Sequence, residues 1–136
     1  MTRRRLLLAG AACVLRADDA DQIWDLFTGM AGALANSDPE QFLQAFNPAM
    51  PGFEDLRQNV AALLLAYDVH SSIELVDESG DGTAQTVQLD WFLELVDKQN
   101  AGVMRRREQV RCQLVKNKKW RITSLQPLSL FTPPAP

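Results

Sequence analysis

From Asp68 to Gln126 the chain alternates apolar and polar residues in long runs separated by short turn signals. Period-two alternation specifies strands with one buried face, and short turns make successive strands antiparallel. Val69, Ser71, Ile73 and Leu75 alternate with His70, Ser72, Glu74 and Val76, and Ser79-Gly80-Asp81-Gly82 then supplies a turn. Thr83 to Val96 sets Val87, Leu89, Trp91, Leu93 and Leu95 on one face and Gln88, Asp90, Phe92 and Glu94 on the other. Lys98-Gln99-Asn100-Ala101 turns the chain again, Val103 to Lys116 follows, and Asn117-Lys118 precedes a last run from Trp120 to Gln126. Strands of this length twist and bend, so the meander is predicted to form a curved sheet.

The turns suggest a register. A loop after Asp97 sets Leu95 opposite Met104, Leu93 opposite Arg106, Trp91 opposite Glu108, Leu89 opposite Val110 and Val87 opposite Cys112. This keeps the apolar face consistent at its ends and places Arg106 and Glu108 in its middle. On the other face Glu94 meets Arg105, Gln88 meets Arg111 and Phe92 meets Arg107. The first hairpin is predicted to set His70 opposite Asp90 on that outer face.

Before the meander the apolar spacing is helical. Ile23, Phe27, Met30 and Leu34 form one stripe between Asp19 and Asn36, widened by Trp24 and Ala31. Asp38, Pro39 and Gln41 give a cap, a first-turn proline and a capping-box spacing for a short second helix carrying Phe42, Leu43 and Phe46, which ends at Asn47-Pro48. Met50-Pro51-Gly52 links to a third helix, Phe53 to Tyr67, with Glu54 and Asp55 in its first turn. Helices followed by a meander predict an α+β fold, N-terminal helices packed on a strongly curved antiparallel sheet. With 136 residues, 46% of them apolar and 23% charged, one domain with one core is expected.

The two ends read differently. Arg3-Arg4-Arg5 followed by the apolar run Leu6 to Leu15 has the order of a signal peptide, with a cut after Ala17, and Thr2 to Leu7 is similar to a twin-arginine signal. The expectation is a signal peptide over 1–17, a single domain over 18–131, a Pro-rich tail over 132–136, and a periplasmic or extracellular address. No run is apolar enough to span a membrane. Loss of Cys13 with the leader would leave Cys112 alone, a small buried hydrophobe in an alternating strand. From Asp18 to Asp97 there are 16 acids and only Arg57 as a base; from Lys98 onward there are nine bases and only Glu108 as an acid. A basic surface for a polyanion is one reading of that split; pairing of basic with acidic strands inside one sheet is the simpler one.

Phe53-x-x-Leu56 opening the third helix, Asp90-Trp91, Arg105-Arg106-Arg107 and the closing Trp120-Arg121-Ile122 sit in a helices-then-meander order over residues 21–131. In this the chain resembles the nuclear-transport-factor-2-like superfamily, the cystatin-like cone that also includes SnoaL-like and ketosteroid-isomerase-like proteins. The resemblance implies a pocket between sheet and helices, which in some members holds a catalytic Asp or His and in others an unreactive ligand or nothing.

Two functions follow as expectations. One is an exported domain that binds a small apolar ligand or a protein partner, with Tyr67, Trp91 and Trp120 as walls and Arg106 and Glu108 as polar contacts, and with pairing into a homodimer through the sheet. The alternative is an isomerase, dehydratase or hydrolase of the ketosteroid-isomerase kind, for which Glu108, or His70 with Asp90, would have to supply the acid–base chemistry. A carboxylate beside Arg106 is a weakened base, and His70 and Asp90 lie on the outer face. Spacing offers no metal ligands, no phosphate-cradling loop, and too few aromatics among the bases for nucleic acid, so no cofactor, metal or nucleic-acid partner is expected.

Overall fold

The computed structural model describes residues 16–135. Three helices, α1 (Ala17–Ala35), α2 (Pro39–Leu43) and α3 (Phe53–Ala66), precede four strands, β1 (Tyr67–Gly80), β2 (Ala84–Asp97), β3 (Val103–Asn117) and β4 (Lys119–Gln126). A 3-10 turn, Leu128–Phe131, follows the last strand. The strands form one curved antiparallel sheet in the order β1-β2-β3-β4, with the helices on its inner face. This is the α+β arrangement expected from the sequence. Among the described residues no helix is long and apolar enough to cross a membrane.

Helix starts follow local chemistry. The Asp38 carboxylate accepts from Gln41 N at 3.1 Å with Pro39 in the first turn of α2, satisfying one of the orphan amides there. Gly52 caps α3 with a φ of 81°, a left-handed value that favours glycine. The short second helix ends earlier than expected, at Leu43. Phe46 instead bridges to Ile122, with Asn47 N donating to Ile122 O and Ile122 N to Ala45 O, each at 2.8 Å. The backbone there finds its partners in the sheet edge, which ends the helix before Asn47-Pro48 can.

The β2–β3 register is the one read from the sequence, from Leu95 opposite Met104 to Val87 opposite Cys112. The first hairpin differs: His70 faces Glu94, and Asp90 faces Glu74, so His70 and Asp90 are not cross-strand partners. The cause is the turn. Asp81 Oδ1 accepts from Thr83 N at 2.9 Å, Thr83 Oγ1 at 2.8 Å and Ala84 N at 3.1 Å, which moves the reversal past Ser79-Gly80. Gly80 pairs with Gln85 at a φ of 128°, and a Cβ on it would stand 2.2 Å from Ala84 O.

One irregularity in β1 changes which side chains look inward. Val76 is an extra residue between the pairs Leu75–Leu89 and Asp77–Gln88. Such a bulge shifts the alternation by one. Val69, Ser71, Ile73 and Leu75 point inward before it; after it Glu78, opposite inward-facing Val87, points inward and Asp77 does not.

The core lies between this face and the helices. Ile23, Phe27, Met30 and Leu34 of α1 are buried, as are Leu56, Val60, Leu63 and Leu64 of α3 and Val87 through Leu95 on the inner face of β2. Burying an aliphatic or Phe side chain of this kind contributes about 1.5–3 kcal/mol. Trp24, expected to widen the buried stripe of α1, is instead 40% exposed. Strand β3 is covered only over its second half: Val110, Cys112 and Leu114 are buried, whereas Val103, Met104 and Glu108 are exposed.

Candidate functional site

The inner face has a sealed part and an open part. In the sealed part Trp91 has no exposed surface and packs edge-on against Phe27, with ring centroids 6.2 Å apart, and against Phe131, at 5.3 Å. Phe42 meets Phe131 edge-on at 5.0 Å and lies tilted against Phe46 at 5.4 Å. The 3-10 turn thus inserts Phe131 and Leu130 into the concavity as a plug. Arg106 holds the plug's backbone, its Nη1 donating to Leu130 O at 2.8 Å. Burial pushes the Arg106 guanidinium below its ordinary value, with Tyr67 nearby opposing that shift.

The residues expected to form one site are therefore dispersed. Trp91 is core. Tyr67 is half-buried at the α3–β1 junction, within electrostatic reach of Arg106. Glu108, cross-strand from Trp91, is exposed. Trp120 is buried beside α1, where its Nε1 donates to Asp19 Oδ1 at 3.1 Å. The same oxygen accepts from Lys116 Nζ at 2.8 Å. These hydrogen bonds, Lys116 first and Trp120 second, hold the Asp19 carboxyl below its usual range against the opposing effect of burial.

His70 is exposed on the outer face. Asp90 is held by Arg107, whose Nε lies 3.1 Å from both carboxylate oxygens, and this contact lowers the Asp90 pKa. Glu94 pairs with Arg105 at 3.3 Å. The acidic and basic halves of the sequence thus meet across β2 and β3, as charge complementarity predicted. Cys112 is fully buried and its thiol is pushed up to about 12 by loss of solvent. Among the described residues no cluster of His, Cys, Asp and Glu could hold a metal ion.

The open part is a cleft of about 490 Å³ between α1 and the β1–β2 hairpin. Its floor is Ile73, Leu75, Val87 and Leu89; Ile23, Phe27 and Trp24 form the helical wall; Asp21, Glu74 and Glu78 stand among its lining residues. Floor residues on β2 are fully buried, whereas Ile73 and Leu75 on the edge strand are half-covered. None of the expected ligand residues lines it. The available signal was Trp24, an aromatic at the border of the apolar stripe, next to acids on the polar face of the same helix.

Comparison with known proteins bears on the fold. No protein-family model and no curated protein matches the chain. Solved structures do. A conserved protein from Planctomyces limnophilus aligns with a TM-score of 0.74 at 9% identity, over 81% of this chain and 94% of that one. A nuclear transport factor 2-like superfamily protein from Salmonella enterica aligns at 0.62 and 17% identity, over 77% and 86%. A ketosteroid isomerase-like protein from Erwinia carotovora atroseptica aligns at 0.64 and 12% identity, over 81% and 95%. The chain has the nuclear-transport-factor-2-like cone fold, and a shared fold at such identities carries no activity with it.

Proposed function

We propose that this chain is an exported domain that binds a small apolar molecule in the cleft between α1 and the β1–β2 hairpin. The supporting observation is the cleft itself: an aliphatic floor and an aromatic wall left open on an inner face that Phe131 elsewhere fills. Concave apolar surface with a few polar groups at its margin is the common form of a small-molecule site. Export rests on the order of charge, apolar run and small residues over 1–17, of which only Arg16 and Ala17 lie within the described residues. The cut after Ala17 would fall in the first turn of α1.

Titration with an uncharged naphthyl fluorophore tests the site. Saturable binding is expected for the wild type and loss of binding for Ile73→Glu, which sets a charge in the floor; unchanged binding by that variant would refute the placement. Sequencing the N-terminus of protein recovered from the exported fraction is expected to give Asp18 as the first residue. The isomerase alternative shares the fold of a ketosteroid isomerase-like protein, and its candidates Glu108, His70 and Asp90 lie on exposed or ion-paired positions. A homodimer through the outer sheet face is a separate proposal. Phe92, Val96 and Val103 give that face an apolar end, and light scattering on the purified chain would decide it.

A further inference from the structure

The basic half of the sequence is answered by acids only in part. On β3, Arg105 and Arg107 reach the β2 carboxylates Glu94 and Asp90. On β4, Lys119 and Arg121 have Asn117 and Val115 as cross-strand partners, neither an acid. Among the described residues their side chains enter no hydrogen bond or ion pair. Trp120 and Ile122 are buried on the inner face, so the two cations share the outer face of the strand, about 7 Å apart at ~3.3 Å per residue. Like charges at that spacing repel, and an anion set between them reverses the sign of the interaction.

The ground beside these cations is apolar. A groove of about 380 Å³ between α2, α3 and β4 has Leu43, Phe46, Pro48 and Phe53 in its lining together with Lys119 and Arg121. It shares no residue with the cleft beside α1. Two further charges line it. Arg57 is neutralised by Glu54, its Nε donating to Oε1 at 3.1 Å. Glu40, in the first turn of α2, is an acid outside every ion pair among the described residues. Leu43 and Phe46 stand between Glu40 and β4 along the chain, and the bridge from Phe46 to Ile122 sets that ring's residue next to the cations. The free charge of the groove is thus two cations on the β4 wall against one carboxylate on α2. We propose that this groove is a second binding site, one for an apolar carboxylate, with a single anionic head between Lys119 and Arg121 and an aryl or alkyl body over Leu43, Pro48 and Phe53. The planar fork of a guanidinium matches a carboxylate, and a lysine ammonium adds a rotatable donor. A neutral head leaves both cations unanswered, a cationic head meets repulsion, and Glu40 disfavours a second acid on the body.

Calorimetry on the full chain at low salt, comparing 2-naphthoate with uncharged 2-naphthylmethanol, reads the preference for the head. The comparison is made in the wild type and in Ile73→Glu, which blocks the other cleft and leaves this groove untouched. In Ile73→Glu the carboxylate is expected to bind about tenfold more tightly than the alcohol, the sum of two modest exposed charge contacts. In about 1 M sodium chloride, where screening acts over about 3 Å, the preference is expected to shrink to about twofold. Adding Lys119→Gln/Arg121→Gln is expected to reduce it to about twofold at low salt, and Glu40→Gln to raise it about twofold. Circular dichroism melts check that these surface variants fold. Equal binding of the two compounds by Ile73→Glu, or a preference that survives loss of Lys119 and Arg121, overturns the proposal whatever becomes of the other cleft. So does self-association that the Lys119→Gln/Arg121→Gln variant abolishes while the two compounds bind alike, which would give the cations to a second copy of the chain.

Discussion

The two parts of the inner face are built from the same strands and treated in opposite ways. Around Trp91 the sheet is closed over by α1, α2 and the C-terminal turn, and aromatic rings meet edge to face at 5.0–6.2 Å. Around Leu75 and Leu89 α1 alone among the described residues faces the sheet, β1 is an edge strand, and a cleft of about 490 Å³ is left. A concave sheet thus supplies apolar surface along its whole length, and the segments that return to cover it decide where a ligand can enter. In this chain the tetrad Leu128–Phe131 makes that choice.

The contrast can be broken most forcefully at the plug. Phe131→Ala removes a ring that touches both Trp91 and Phe42 and is expected to destabilise the fold by about 3–5 kcal/mol in urea unfolding. It should also shift Trp91 emission to the red as water reaches the concavity. Unchanged stability would mean the plug packs only incidentally.

Next in size is the anchor of α1. Asp19→Ala leaves Lys116 and Trp120 Nε1 without their shared acceptor, at an expected cost of about 2–3 kcal/mol. Because the Asp19 pKa is lowered on folding, its contribution is complete above the unfolded value near 3.8 and is lost as pH falls through the folded value. The variant should accordingly lose less stability than the wild type on acidification below about pH 4. A parallel pH dependence in the two proteins would remove Asp19 from the account.

At the open part the expected stability effects are small. Trp24→Ala should change stability by no more than about 0.5 kcal/mol, since the side chain is 40% exposed, while weakening ligand binding. A large loss of stability would show that Trp24 is core and not the mouth of a site. The smallest effect is expected at Cys112. With its thiol near 12 and no exposed surface, it should be inert to thiol reagents at pH 8 in the native protein and react fully once unfolded.

What the sequence made legible follows from how local each signal was. The β2–β3 register came out residue for residue, because a short loop and uninterrupted alternation leave only one pairing that keeps the apolar face buried. The first hairpin slipped because the Asp81 side chain sets the turn, and the composition of Ser79-Gly80-Asp81-Gly82 marks a turn without fixing which of its residues close it. The stripe on α1 was plain, but Asp19 was not: a first-turn acid reads as a dipole partner, and its contacts to Lys116 and Trp120 lie about a hundred residues away. Leu128–Phe131 is too short for any periodicity to register. The cleft was illegible for a further reason, since it arises from a bulge, an edge strand and the limits of what the helices cover, none of them a property of one segment.

The small bridge between Phe46 and Ile122 bears on how copies of this molecule meet. Strand β1 ends the sheet on one side with Asp68, Glu74, Asp77 and Glu78 along it; β4 ends it on the other with Lys119 and Arg121. Acidic border against basic border is an attractive head-to-tail fit, and contacts of that kind repeat without closing, which is how fibres grow. The amide of Ile122 and its carbonyl are already taken by Ala45 and Asn47. A foreign strand arriving at β4 finds the middle of that border already occupied by the three loop residues Ala45, Phe46 and Asn47.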